Sequence, residues 1–209
     1  MNEDLNDVVV MHGSAMEWVP SPNPFVHRKR LELHGPVEAG RVTSIVRYLE
    51  NSSFHAHDHP EGEEIYVISG LFEDEHGSYP AGSFLLNPEG FRHQPFSNGG
   101  CDLFVKLRQF PGTDRSHVNI NTADASLWRP IPSHSNLELC ALYDSAAHSE
   151  QVSLVRSTGE VSTPLRQLYV LKDSVSLALG GVIFEVFVIR GHCRLGGEEL
   201  LAESWLRAP

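Results

Sequence analysis

The sequence predicts an all-β protein, a sandwich or barrel of short strands built twice in tandem, with a degenerate second copy. Three observations carry this. Runs rich in β-branched and aromatic residues recur between Gly, Pro and Asn turns at short intervals. No window of useful length keeps the ~3.6-residue apolar period of a helix, so helix content should be low. The run Glu64-Ile65-Tyr66-Val67-Ile68-Ser69-Gly70 returns as Glu185-Val186-Phe187-Val188-Ile189-Arg190-Gly191.

Taken in order, residues 1–17 are polar and read as an arm or cap. The first unit, 18–112, opens at Trp18-Val19-Pro20, followed by the rigid loop Ser21-Pro22-Asn23-Pro24. The β-rich stretch 41–49 begins its strands, with others expected near 54–59, 64–69, 83–87, 91–96 and 101–110. Residues 111–127 read as a connector, with the linker proper at 113–127. The second unit covers 128–209, where Trp128-Arg129-Pro130 echoes Trp18-Val19-Pro20 and 152–156 echoes 43–47. From Gly191 to Pro209 the chain aligns without a gap on Gly70 to Pro88, so the last strands of the second barrel are expected to be absent or supplied by another segment.

The stretch from His57 to His93 carries chemistry. His57-x-His59, three residues, Glu63, six residues, Gly70 is followed by Gly82, five residues, Pro88-x-Gly90, two residues, His93. Side chains alternate along a strand, so His57 and His59 project to one side and can grip one ion. Pro60-Glu61-Gly62 turns the chain back and places Glu63 at the mouth of an apolar strand. His93 arrives from a neighbouring strand after the turn Pro88-Glu89-Gly90. Three imidazoles and a carboxylate form a mixed N/O set that suits one divalent transition metal, Zn, Fe, Mn, Ni or Cu, and leaves open positions for a ligand or dioxygen. His55-x-His57 is a second HxH pair; counting back from Glu63 favours His57 and His59, with His55 at the rim on the same face. Tyr66 and Gln94 are further candidates beside the ligands, as are Arg92 and Tyr79, although Arg92 reads better as a surface residue. Glu64 should point away from the site, and His76 with Glu73-Asp74-Glu75 reads as a solvated hairpin tip.

These spacings are the two motifs of the cupin superfamily. The run from Glu63-Glu64 through Phe72-Glu73-Asp74-Glu75, Tyr79-Pro80-Ala81-Gly82 and Gly100-Cys101-Asp102-Leu103-Phe104-Val105-Lys106 resembles the cupin domain of ChrR-type anti-sigma factors. The resemblance covers roughly residues 18–110 and implies a jelly-roll fold with metal ligands at His57, His59, Glu63 and His93; with the internal repeat, two tandem cupin-like domains are expected. In the second copy Phe184 stands where Glu63 does, and Ala178 and Gly180 where His57 and His59 do, so that copy should lack a metal. The family's separate zinc-binding sigma-factor domain has no counterpart in residues 1–17, and no His-x3-Cys-x2-Cys occurs. An anti-sigma role therefore does not follow.

Two functions remain. One is a small-molecule- or oxidant-responsive regulatory or binding module, acting with a regulatory protein partner. The other is a metal-dependent dioxygenase taking a small ketone or diketone. In the second, Glu63 could shuttle a proton and Phe54, Tyr66, Phe84, Leu86, Phe91 and Phe104 would line the barrel, although for most of these six ordinary core is the favoured reading. A purely structural metal is disfavoured, because such sites are usually rich in cysteine. With 16 basic against 27 acidic residues the net charge is −11, which argues against nucleic acid or anionic membrane as partners. No apolar run approaches a membrane span and no signal peptide is evident, so a cytoplasmic protein is expected. Cys101, Cys140 and Cys193 are widely spaced and read as small buried residues. An open jelly-roll edge makes a homodimer plausible.

Overall fold

The computed structural model describes residues 1–132, 134–148, 150–157, 165–173, 183–195 and 197–209. Ala178 and Gly180 lie outside the described residues. By contacts the chain divides into two compact units, Met1 with 17–123, and 2–16 with 124–209. Among the described residues the regular structure is β-strand with two short 3-10 turns, Gly13–Ala15 and Ala125–Leu127, in keeping with the all-β expectation. No helix there is long and apolar enough to cross a membrane.

In chain order the strands of the first unit are β2 (Val19–Pro20), β3 (Val26–His34), β4 (Arg41–Tyr48), β5 (Ser52–Ser53), β6 (His57–Asp58), β7 (Glu63–Asp74), β8 (Gly77–Pro80), β9 (Ser83–Asn87), β10 (Arg92–His93), β11 (Phe96–Ser97), β12 (Cys101–Leu107) and β13 (Val118–Asn121). The main sheet runs β13-β9-β7-β12-β4-β3-β2, and β6 pairs with β10 in a separate ribbon. The expected strand at 54–59 thus shrinks to His57–Asp58, and the one at 91–96 is broken into two short pieces. The expected connector at 111–127 is corrected in part. Val118–Asn121 is a strand paired with β9, because its alternating apolar residues complete that edge.

The β7–β12 pairing contains the fold's decisive irregularity. Leu103 pairs with Val67 and Asp102 with Ser69, so Ile68 of β7 opposes no partner. One extra residue in a strand reverses the two-residue alternation beyond it. Glu63, Ile65 and Val67 face the interior before the bulge, and Phe72 and Asp74 face the same interior after it. Ile65, Val67, Phe72, Leu85, Leu103 and Val105 meet there in one core.

This parity corrects the sequence reading of the barrel lining. Tyr66, Phe84, Leu86 and Phe104 are buried, but they alternate with the interior set and lie on the other face of the sheet. Of the expected lining residues, Phe54 does pack against the interior core. Glu64 shares the outer face, directly across from Lys106, and both are buried.

The second unit has strands β1 (Val9–His12), β14 (Trp128–Ile131), β15 (His134–Asp144), β16 (Glu150–Ser157), β17 (Leu165–Asp173), β18 (Ile183–Leu195), β19 (Glu198–Leu201) and β20 (Ser204–Ala208). Its sheet order is β1-β20-β18-β17-β16-β15-β14, with β19 paired to β18. The segment read as a polar arm therefore contains a strand. Val9, Val10 and Met11 pair with Arg207, Leu206 and Trp205, and the buried Arg207 donates from Nη1 to the Asn2 carbonyl at 2.9 Å. All three cysteines are buried and unpaired with one another, as expected.

Gly70, whose place in the motif follows Glu63 by six residues, sits at φ +76°, and a Cβ there would meet the Gly100 carbonyl oxygen at 2.1 Å. Gly90 has φ +80° but open space around it. Gly70→Ala should therefore destabilise by more than about 2 kcal/mol, and Gly90→Ala by about 1 kcal/mol. Urea denaturation of both variants would check the order, and equal losses would show that the close approach of Gly100 is not what requires the glycine.

Candidate metal centre

Local geometry brings the histidines together. In the β6–β10 ribbon His57 pairs directly with His93, and Asp58 with Arg92. Facing residues in an antiparallel pair project to the same side. His57 and His93 therefore point one way, while Asp58 and Arg92 point outward and form an exposed ion pair at 3.0 Å. The surface reading of Arg92 is the one the structure adopts. His59 follows on the same face as His57, and its main chain ties the two turns together. Its amide donates to the Phe91 carbonyl at 3.0 Å, and its carbonyl accepts from Gly90 at 3.0 Å and Gly62 at 3.3 Å.

The potential ligand nitrogens of His57, His59 and His93 lie within 4.8 Å of one another. His59 Nε2 and His93 Nε2 are 2.8 Å apart. Glu63 Oε2 lies 3.3 Å from the first and 3.5 Å from the second. The structure thus gathers all four sequence-predicted ligands, with His59, Glu63 and His93 buried and His57 half-buried. His55 is not one of them. Its ring is exposed, and its contribution is the carbonyl that accepts from His57 Nδ1 at 2.8 Å.

Acceptors set the tautomers. A carbonyl can only accept, so His57 carries its proton on Nδ1 and presents a bare Nε2 to the centre. His93 Nδ1 lies 3.1 Å from Asp74 Oδ2, which fixes the same arrangement there. Asp74 is held in turn by the Tyr79 hydroxyl at 3.1 Å and by the amides of His76 at 2.8 Å and Gly77 at 3.0 Å. Asn87 Nδ2 donates to Glu63 Oε2 at 2.9 Å.

Asp74 and Asn87 are the residues that sequence reasoning missed. Asp74 was read as part of a solvated tip, yet it is buried, because the Ile68 bulge turns it inward. Tyr79 reaches the site only through Asp74. Tyr66 is on the opposite face of β7, and Gln94 is exposed, with its amide donating to Glu75 Oε2 at 2.7 Å. Neither adjoins the histidines, because each neighbours an inward residue along its strand.

Electrostatics separate the buried rings. Burial holds the His59 imidazole below its ordinary pKa. Burial also acts to lower His93, but the Asp74 hydrogen bond and the Glu63 carboxylate outweigh it and raise that ring. For Asp74 burial pushes upward, and its bonds from His93, His76 and Tyr79 prevail, leaving it more acidic than usual. Two Nε2 atoms 2.8 Å apart need either a hydrogen or a metal ion between them. The donor set fits a metal: three imidazoles and one carboxylate facing one point, with His57 and His93 oriented from behind by the His55 carbonyl and Asp74.

A cavity of about 130 Å³ adjoins this centre. His57, His59, Glu63 and His93 share its wall with apolar residues including Val26, Phe54, Ile65, Phe72 and Leu103. Phe54 also sets its ring edge toward His57, with centroids 6.0 Å apart.

A sequence model of the ChrR cupin-like domain matches residues 6–111. No curated protein matches the chain in sequence. Among solved structures, a candidate dioxygenase of Nostoc punctiforme superposes with TM-score 0.69 at 13% identity, covering 98% of this chain and 75% of that one. Protein Ylba of E. coli gives 0.67 at 14%, covering 98% and 84%. The bacterial pirin YhhW of Escherichia coli, in complex with nickel(II), gives 0.56 at 13%, covering 96% and 89%. At these identities the likeness is one of fold.

In metal-stripped protein, nitrogen-detected NMR titration should find His93 keeping its proton to higher pH than His59. Asp74→Asn should lower the His93 midpoint, since it removes the carboxylate that raises it. An unmoved His93 would show that Asp74 does not set its charge.

Proposed function

The chain belongs to the ChrR cupin-like family, and from that premise we propose that it is a metal-binding cupin whose first unit holds one divalent transition ion and admits a small molecule beside it. The observation that carries this reading is the convergence of His59 Nε2, His93 Nε2 and Glu63 Oε2 within 3.5 Å, with His57 alongside, on the wall of a largely apolar cavity. His57, His59, Glu63 and His93 would hold the ion. The ion supplies a Lewis-acid centre for a chelating oxygen ligand. Asp74 and the His55 carbonyl keep the Nε2 lone pairs turned inward, Asn87 orients Glu63, and the apolar wall excludes water from the ligand's carbon skeleton.

The second unit is read as a degenerate copy of the first. The two sheet orders run in parallel, and Phe184 packs against an apolar cluster at the position aligned with Glu63. Its function would be structural.

A ligand-responsive binding or regulatory module is the principal reading. The cavity beside the ligand set also favours a second, a dioxygenase acting on a small ketone or diketone. The similar candidate dioxygenase from Nostoc punctiforme adds only its fold to that case.

Elemental mass spectrometry of purified protein should find about one ion per chain, lost in a His57→Ala/His59→Ala double variant. Its absence from the wild-type protein, or its retention in the variant, would refute the ligand assignment. Asp74→Asn should weaken zinc binding by about 10- to 100-fold in a chelator competition, as removal of an oriented partner of a ligating histidine does. Oxygen uptake by the iron-loaded protein with acetylacetone would select the enzyme reading; no uptake over a range of ketones would leave the binding module.

A further inference from the structure

A second pocket beside the metal cavity has a charge pattern that metal binding does not explain. The chain carries a net −11, yet this pocket, which shares His57 and His59 with the cavity, is lined by Arg28, Arg30 and Arg108 against Glu38 and Asp58. Arg28 lines both pockets. Arg28 and Arg30 stand two residues apart on β3, so they project to one face.

Together these two arginines grip a carboxylate. Arg28 Nη1 is 2.8 Å from Glu38 Oε2, and Arg30 Nη2 is 2.9 Å from Glu38 Oε1, one oxygen to each guanidinium. Their side chains are only 22% and 18% exposed, so the cations need an anion close by. The anion present is weakly committed. Glu38 is 47% exposed on the connection between β3 and β4, and an ion pair so open to water contributes little. An incoming carboxylate can take its place at small cost.

We propose that Arg28 and Arg30 form the carboxylate seat of the cavity's ligand, with Glu38 as an internal stand-in that an arriving small organic acid displaces. The inference deepens the metal-cavity reading by assigning the ligand class: a small oxo acid, whose oxo group faces the histidines while its carboxylate rests on the arginines. No bond to carbon is made or broken in this step, only an exchange of ion pairs.

The test is calorimetric titration of zinc-loaded protein with pyruvate and 4-oxopentanoate, each beside its methyl ester. At least one acid should bind about tenfold tighter than its ester. Arg28→Met and Arg30→Met should abolish that preference, weakening acid binding more than ester binding. Glu38→Gln should strengthen acid binding several-fold, because it frees the seat. That change lies at an exposed position, so it tests the inference even if an arginine variant unfolds. Equal binding of acids and esters, no acid binding at millimolar concentration, or a Glu38→Gln variant that binds acids no better would each overturn it. Metal content of the same samples separates the two readings. An Arg28-dependent acid preference in protein that takes up no metal refutes the metal centre alone. Bound metal without an acid preference refutes the seat alone.

Discussion

The extra residue at Ile68 in β7 is the constraint on which the candidate site depends. Without it, Glu63 and Asp74 would fall on opposite faces of their strand, since an odd number of steps separates them. With it, both project into the interior, one toward the convergence point and the other behind His93. The bulge adjoins Gly70, whose positive φ and close approach to Gly100 leave no room for a side chain. A short backbone irregularity thus sets the parity of a long strand, and the parity decides which carboxylates serve the centre.

The remaining geometry is economical. Two turns, at Glu61-Gly62 and at Glu89-Gly90, both bond to the main chain of His59, and the β6–β10 pair sets His57 against His93. Each ring is then aimed by an acceptor that cannot donate, a carbonyl for His57 and a carboxylate for His93. Burial favours neutral rings, while Asp74 and Glu63 favour charge, and the outcome differs between His59 and His93. A cluster divided in this way would attract a proton or a metal ion to the same point, so the two compete.

The second unit shows how a sheet can be completed by strands from elsewhere in the chain. In the first unit β12 lies between β7 and β4, and β13 borders β9. In the second, β17 holds the place between β18 and β16, although it precedes β18 in sequence, and β1 borders β20. The strand that borders β20 comes from the far end of the chain. It is the amino-terminal stretch Val9–His12, within residues read from the sequence as a polar arm or cap.

The amino-acid sequence by itself determined the all-β class, the family, and the histidines that meet at the site. Period-two alternation, turn residues and ligand spacing are local properties, so His57, His59 and His93 could be named from their intervals. It also placed Glu63 beside them. Only the tertiary structure decided which residues stand behind the ligands. Asp74 and Asn87 reach the centre through a bulge and through strand pairing, which depend on a partner strand distant in sequence. For the same reason Tyr66, Phe84, Leu86 and Phe104, apolar enough for either face, fell on the outer one. Alternation along a strand gives two faces but does not say which is inside; the register with neighbouring strands does.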